Sequence, residues 1–196
     1  MTDKATIDMT HGGGGRAMAD LIDGLFHRHL SNPILNRGDD GAVLEAPQGR
    51  LVISSDGHVI SPLFFPGGDI GTLAVNGTIN DLAVMGARPI CLTAGFNLAE
   101  GFPLSDLDSN VAAMGAAARE AGVPVVSGDT KVVEKGNGDG VFITTTGLGA
   151  VPDGVSVSAG NIRPGQAILL SGTIGDHGVA VLSKRQNLEF ETRIES

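Results

Sequence analysis

The segment Ile70–Ala87, IGTLAVNGTINDLAVMGA, holds one charged residue, Asp81, among apolar and small side chains. It follows Asp69, a residue type whose carboxylate accepts from the first free N–H groups of a helix. The spacing predicts a helix from Ile70 to about Met85, apolar nearly all round and therefore buried. Asp81 comes seven residues after Ala74 and eleven after Ile70, on the same face. An unpaired carboxylate there is costly. Two arrangements remove the cost: a cation, with Asn80 as a neighbouring oxygen ligand, or pairing with an arginine such as Arg88.

The chain around this segment alternates two periodicities. Met18, Leu21, Ile22, Leu25, Phe26 and Leu30 follow helical spacing from Arg16, and Asn32-Pro33 ends the run. AVLEA and LVISS read as two strands across a PQG turn, and RPICLTAGFNL reads as a third. Ser105 is a candidate cap for a helix with the stripe Leu107, Val111, Met114 and Ala118, stopped by Gly122 and Pro124. VPVVS and VFITTTGLGAV read as strands on either side of KGNGDG. The fold class is α+β, helices layered on a sheet in a sandwich-like α/β arrangement.

After Val151 the texture changes. PDGVSVSAGNIRPGQ reads as a linker, and AILLSGTIGDHGVAVLSKRQ as a fresh strand, loop and helix. One complete domain is expected over residues 1–153. Residues 154–196 then form a linker and the first elements of a second, truncated domain, because a strand and a helix alone bury too little. The alternative docks this tail on the first domain.

Charge and composition narrow the function. Thirteen Lys and Arg against 22 Asp and Glu give a net charge of −9. That opposes nucleic acid and anionic membranes as partners. Seven Phe with no Tyr or Trp leave no platform for stacking bases. One cysteine, Cys91, excludes an internal disulfide framework and a cysteine-based zinc site. Inside a strand it reads as a buried, inert thiol. No apolar run reaches the roughly 18 residues of a membrane span. The first residues lack the apolar core of a secretory signal, so a cytoplasmic protein is expected.

The acids suggest a site. Asp39 and Asp40 precede a strand, and Asp56 and Asp129 read as strand ends, where α/β proteins project functional groups. Together with Asp81 they offer hard oxygen ligands without a His/Cys pattern, which points to Mg²⁺. Mg²⁺ completes its shell with water and phosphate oxygens, so an acidic chain can hold a nucleotide. The tract HGGGGR, His11–Arg16, supplies backbone N–H groups ahead of a helix N-terminus. Lys131 is a candidate phosphate partner. The tract is not a Walker A loop: Arg16 stands where the lysine belongs and no strand precedes it. A flexible leader and a phosphate cover both remain open for it. His27 and His29 read as the wet face of the first helix, and His58 as following a turn at Asp56.

The motifs together resemble a known family. HGGGGRAM is similar to its N-terminal His-Gly-x-Gly-Gly segment, and SPLFFPGGDIGTLAVNGTINDLAVMGA to its central run; GDTKVV, TTGLG and SGTIGDHG follow in the same order. The family is HypE, the ATP-dependent carbamoyl dehydratases of nickel–iron hydrogenase maturation. It lies within the superfamily of aminoimidazole ribonucleotide synthetase, thiamine-monophosphate kinase and selenophosphate synthetase. The resemblance implies an N-terminal ATP-binding domain whose sheet pairs in a homodimer. It also implies ATP and Mg²⁺ as cofactors, bound between this domain and the next.

By motif match, Asp40, Asp56, Asp81 and Asp129 are the metal-site acids. Asn80, His11, Gly12, Gly13, Gly14, Gly15, Gly128, Thr130 and Lys131 contact the nucleotide. Asp81 and Lys131 are the catalytic candidates. The family's terminal cysteine takes a carbamoyl group from HypF; ATP phosphorylates the carbamoyl oxygen, loss of phosphate leaves a thiocyanate, and HypC–HypD receives the cyanide. This chain lacks the terminal Pro-Arg-Ile-Cys, and the RPIC at Arg88–Cys91 lies in a predicted strand and does not replace it. SSDGHVISP stands for the family's TTDSFVVDP, which puts Gly57 and Ser61 at polar positions. The isolated chain is therefore expected to be inactive as a dehydratase. Two rival readings are another ATP-dependent kinase or synthetase of the superfamily, and a non-catalytic dimerisation module.

Overall fold

The computed structural model describes residues 5–188 and 194–196. After a short 3₁₀ turn at Met9–Gly12, a continuous helical stretch runs through α1 (Arg16–Leu21), a π turn (Ile22–Phe26) and α2 (His27–Leu30). Then come β1 (Arg50–His58), a small hairpin of β2 (Phe64–Phe65) and β3 (Gly68–Asp69), α3 (Ile70–Val84), β4 (Arg88–Ala99), α4 (Leu104–Ala121), β5 (Val125–Val133), β6 (Val141–Val151) and α5 (Asp176–Gln186). The main sheet has the order β1-β6-β4-β5. Its β1–β6 and β6–β4 ladders are antiparallel, and β4–β5 is parallel, crossing over through α4.

Alternation along each strand sends one set of side chains to the helices and the other to an open face. Val141, Ile143 and Thr145 of β6, and Leu92, Ala94, Phe96 and Leu98 of β4, are buried on the helix side. They meet Ile70, Ala74 and Val75 of α3, the buried stripe Leu107, Val111, Met114 and Ala118 of α4, and Leu21, Leu25, Phe26 and Leu30 of the first helical stretch. Asp69 caps α3 as expected, accepting from the Thr72 N–H at 2.9 Å. The α3–α4 crossing is close: a Cβ on Gly71 would lie 2.0 Å from the Asn110 main-chain oxygen.

Several expectations need correction. AVLEA forms no strand in this chain; Ala42 and Leu44 instead line a depression on the open face of the sheet with Cys91 and Leu148. AILL likewise forms no strand, and Ile168, Leu169 and Leu170 are exposed, because among the described residues no strand pairs with them. Ser105 lies inside α4, which starts after Pro103, and its hydroxyl meets Asp106. The outer face of α3 is solvent-exposed, with Val84 66% and Met85 45% accessible. Only the stripe Ile70, Gly71, Ala74, Val75, Thr78 and Leu82 is buried there, since one sheet and one helix cover one side. α5 makes contact with the earlier part of the chain: Ala180 and Val181 are buried, Arg185 donates to the Ser61 carbonyl, and the His177 ring packs edge-on to Phe65.

Candidate nucleotide and cation site

The glycine tract is seated against the edge strand β5. Asp8 and His11 close a capping box around the 3₁₀ turn, with the Asp8 N–H donating to His11 Nδ1 at 3.1 Å. The Thr10 side chain, first among several donors, holds the Asp8 carboxyl below its ordinary range. Gly12 packs onto β5 so closely that a Cβ would meet Val132 at 2.9 Å. Gly14 takes a positive φ of 74°, a conformation suited to glycine.

Gly12 and Gly14 share a cavity of about 320 Å³ with Gly128, Asp129, Thr130 and Lys131 at its polar end, and with Met18, Phe26 and Phe96 along its apolar wall. At that polar end, Lys131 Nζ lies 3.1 Å and 2.9 Å from the two oxygens of Asp129. Lys131 and the Thr130 N–H keep the Asp129 carboxyl below its ordinary range, the lysine contributing most. Both side chains are about two-thirds exposed, so the pair is worth at most about 1 kcal/mol. An anion arriving at the tract therefore meets a lysine that exchanges partners at little cost.

Asp56 and Asp81 build a second cluster. Asp56 is not at a strand end: β1 continues to His58, and Val52, Ser54, Asp56 and His58 all turn toward α3. Asp81 is only partly buried and accepts from Ser54 Oγ at 2.8 Å. His58 is buried, against its expected place after a turn. Its Nε2 lies 3.1 Å from Thr145 Oγ1 and 3.7 Å from Asp56 Oδ2. Burial pushes the His58 pKa down, and the charges of Asp56 and Asp81 only partly offset that. Ser54, His58, Thr78 and Thr145 were not among the expected site residues. The alternation continuing through SSDGH was the available signal.

The fold divides the four predicted acids. Asp129 also lies within its strand, paired with Gly95 on the open face, where it lines a second depression with Asp40, Thr93, Thr144 and Thr146. Asp56 faces the helices from β1. Three strand spacings separate β1 from β5, about 14 Å. Asp56 and Asp129 of one chain therefore cannot ligate one ion, and no group of three or more His, Cys, Asp or Glu among the described residues could hold a metal. Asp56 and Asp81 still suit Mg²⁺, which takes one or two carboxylates and completes its shell with water and phosphate. Asn80 is exposed beside Asp81. His27 and His29 are half-buried and paired with Asp23 and Asp108 rather than wet. Cys91 is buried, and burial pushes its thiol pKa up, as an inert thiol requires.

Residues 38–151 match the model of the AIR synthase related protein N-terminal domain. The chain belongs to this family. The matched region holds every predicted acid and Lys131, and the glycine tract lies outside it, ahead of the first helical stretch. A carbamoyl dehydratase HypE from Azotobacter vinelandii is 63% identical over 193 residues, covering 98% of this chain and 57% of the relative. A crystal structure of HypE in complex with ATP superposes with a TM-score of 0.93 at 51% identity, over 96% of this chain and 56% of that one. A HypE–HypF complex gives a TM-score of 0.74 at 49% identity, over 90% and 57%. The chain spans a little over half the length of these relatives. No helix among the described residues is long and apolar enough to cross a membrane.

Proposed function

We propose that this chain is the ATP-binding and dimerisation part of a HypE-type carbamoyl dehydratase in hydrogenase maturation. The observation that carries the reading is the glycine tract, packed on β5 at Val132, with Gly12 and Gly14 lining one cavity together with Gly128, Asp129, Thr130 and Lys131. The match to an ATP-bound HypE over nearly the whole chain supports it. In this reading the tract and Lys131 take the phosphates, and Asp56 and Asp81 hold Mg²⁺ with Asn80 beside them. The bound ion neutralises phosphate charge. Asp129 releases Lys131 to the incoming anion, and Asp40 and Asp129 serve from the open face of the sheet. Residues 1–153 are the nucleotide domain, and 154–196 lead into a second one.

The dehydration itself belongs to the longer protein: a terminal cysteine carboxamide, loaded by HypF, is activated by ATP and yields cyanide for HypC–HypD. The isolated chain is then inactive but binds nucleotide, in the cytoplasm and as a homodimer. HypF is the partner best supported, through the HypE–HypF complex. Calorimetric titration of the chain with MgATP tests the reading. Binding that is lost in Asp81→Ala supports it. An absence of binding in the parent chain would leave a dimerisation module in its place.

A further inference from the structure

Asp56 and Asp81 stand on different elements, a strand and a helix, so a contact between those elements must fix their spacing. Strand β1 approaches α3 closely at two points. At one, a Cβ on Gly77 would lie 3.4 Å from Asp56 Oδ2. At the other, one helical turn further on, Ser54 Oγ donates to Asp81 Oδ2 at 2.8 Å. The sheet admits α3 this near because Ser54 pairs with Gly147 of β6, where a Cβ would meet Leu82 at 2.8 Å and Thr78 at 2.9 Å. Ser54 and Asp56 are alternate residues on one face of β1, about 7 Å apart. Gly77 and Asp81 are four apart on α3, with Cβ positions about 5–6 Å from each other. The two carboxylates are thus neighbours along the seam between β1 and α3. Among the described residues, Ser54 is the one hydrogen-bond donor to Asp81.

We infer that Ser54 is a positioning residue for Asp81: its hydroxyl holds Oδ2, leaves Oδ1 to a cation, and by this one-oxygen presentation favours Mg²⁺ over Ca²⁺. This rests on the proposed role of Asp81 in holding the cation of a bound nucleotide. Ser54 does not touch the cation. It restricts the carboxylate that does, as outer partners of metal ligands do. Mg²⁺ demands near-octahedral geometry and short bonds, which suits a carboxylate already held in one orientation. Ca²⁺ accepts longer bonds and bidentate carboxylates, a mode that Ser54 opposes by occupying Oδ2. A threonine at this position keeps the donor, whereas an alanine leaves the carboxylate free to rotate.

Calorimetry on the full chain with MgATP and with CaATP tests this. Ser54→Ala should bind MgATP about tenfold more weakly than the parent. Its affinity for CaATP should change by less than about threefold, so the preference for Mg²⁺ narrows. Ser54→Thr should keep both the parental affinity and the parental preference. Unchanged MgATP binding in Ser54→Ala overturns the proposal. An equal loss for both salts would make the hydroxyl a packing contact and overturn it too, as would a loss in Ser54→Thr as large as in Ser54→Ala. Should Ser54→Ala fail to fold, Ser54→Cys, whose thiol is a weak donor of similar shape, is read by the same outcomes. A parent that binds MgATP beside an unaffected Ser54→Ala refutes the positioning role alone. A parent that binds no MgATP refutes the nucleotide reading itself, and the two failures are thereby distinguished.

Discussion

Lys131 and Asp129 are the pair on which the nucleotide reading depends most directly. The carboxyl is held down by the lysine, so the interaction contributes stability above the ordinary carboxylate pKa of about 3.9 and loses it as pH falls through the lowered value. Both side chains face solvent, which limits the contribution to at most about 1 kcal/mol. Lys131→Met should therefore cost little stability at neutral pH. It should also return the Asp129 carboxyl, followed by carbon-13 titration, toward the ordinary range. MgATP binding should weaken at least about tenfold, the equivalent of one charge-assisted hydrogen bond of about 1.5–3 kcal/mol. Parental binding in Lys131→Met would separate the lysine from the phosphates.

At the scale of elements, what was legible in the sequence was whatever local chemistry decides. Asp69 as the cap of α3, the stripe of α4 and the left-handed stop at Gly122 depend on neighbours a few residues away, and they stand as read. AVLEA and AILL have strand composition, but a strand needs a partner, and pairing is not written in the segment itself. The site was legible in the same partial way. Residue type singled out Asp56, Asp81 and Asp129, whereas the face each takes follows from register, which only the assembled sheet fixes. His58 escapes because a strand ending at Asp56 stops two residues short of it, whereas β1 runs on to His58.

Helix packing carries two expected outcomes at this scale. Gly71→Ala improves helix propensity by about 1 kcal/mol, yet drives a methyl into the Asn110 carbonyl and forces α3 and α4 apart. A net destabilisation of about 1–3 kcal/mol should appear in urea unfolding. Asp108 ties α2 to α4, through His29 Nε2 at 2.8 Å and through Arg28. The His29 hydrogen bond, ahead of Arg28, holds its carboxyl below the ordinary range. The stabilisation is thus present above about pH 4 and fades as pH falls through the lowered value. Asp108 is 40% exposed, so Asp108→Asn should cost no more than about 1 kcal/mol at neutral pH and narrow the stability difference between pH 7 and pH 3.

The whole molecule has a one-sided architecture. Helices cover one face of the four-stranded sheet, while the other exposes Leu51 at 49%, Ile53 at 69% and Phe142 at 36%. Ser55, Thr93, Thr144 and Thr146 lie on that same face, so over β1, β6 and β4 it mixes apolar and hydroxyl side chains, with Asp129 on the edge strand β5. A contiguous patch of this kind on a monomer marks an interaction surface, and the proposed homodimer places a second copy there. Ile53 sits near the centre of β1, on the face of the strand opposite to Asp56. Ile53→Asp leaves every helix-side contact intact, so the fold and its unfolding midpoint should change by less than about 0.5 kcal/mol. It buries a charge only if two sheets meet. Sedimentation should then show the parent as a dimer and Ile53→Asp as a monomer at the same concentration. A variant that still dimerises would put the contact elsewhere and leave the open face without a second copy.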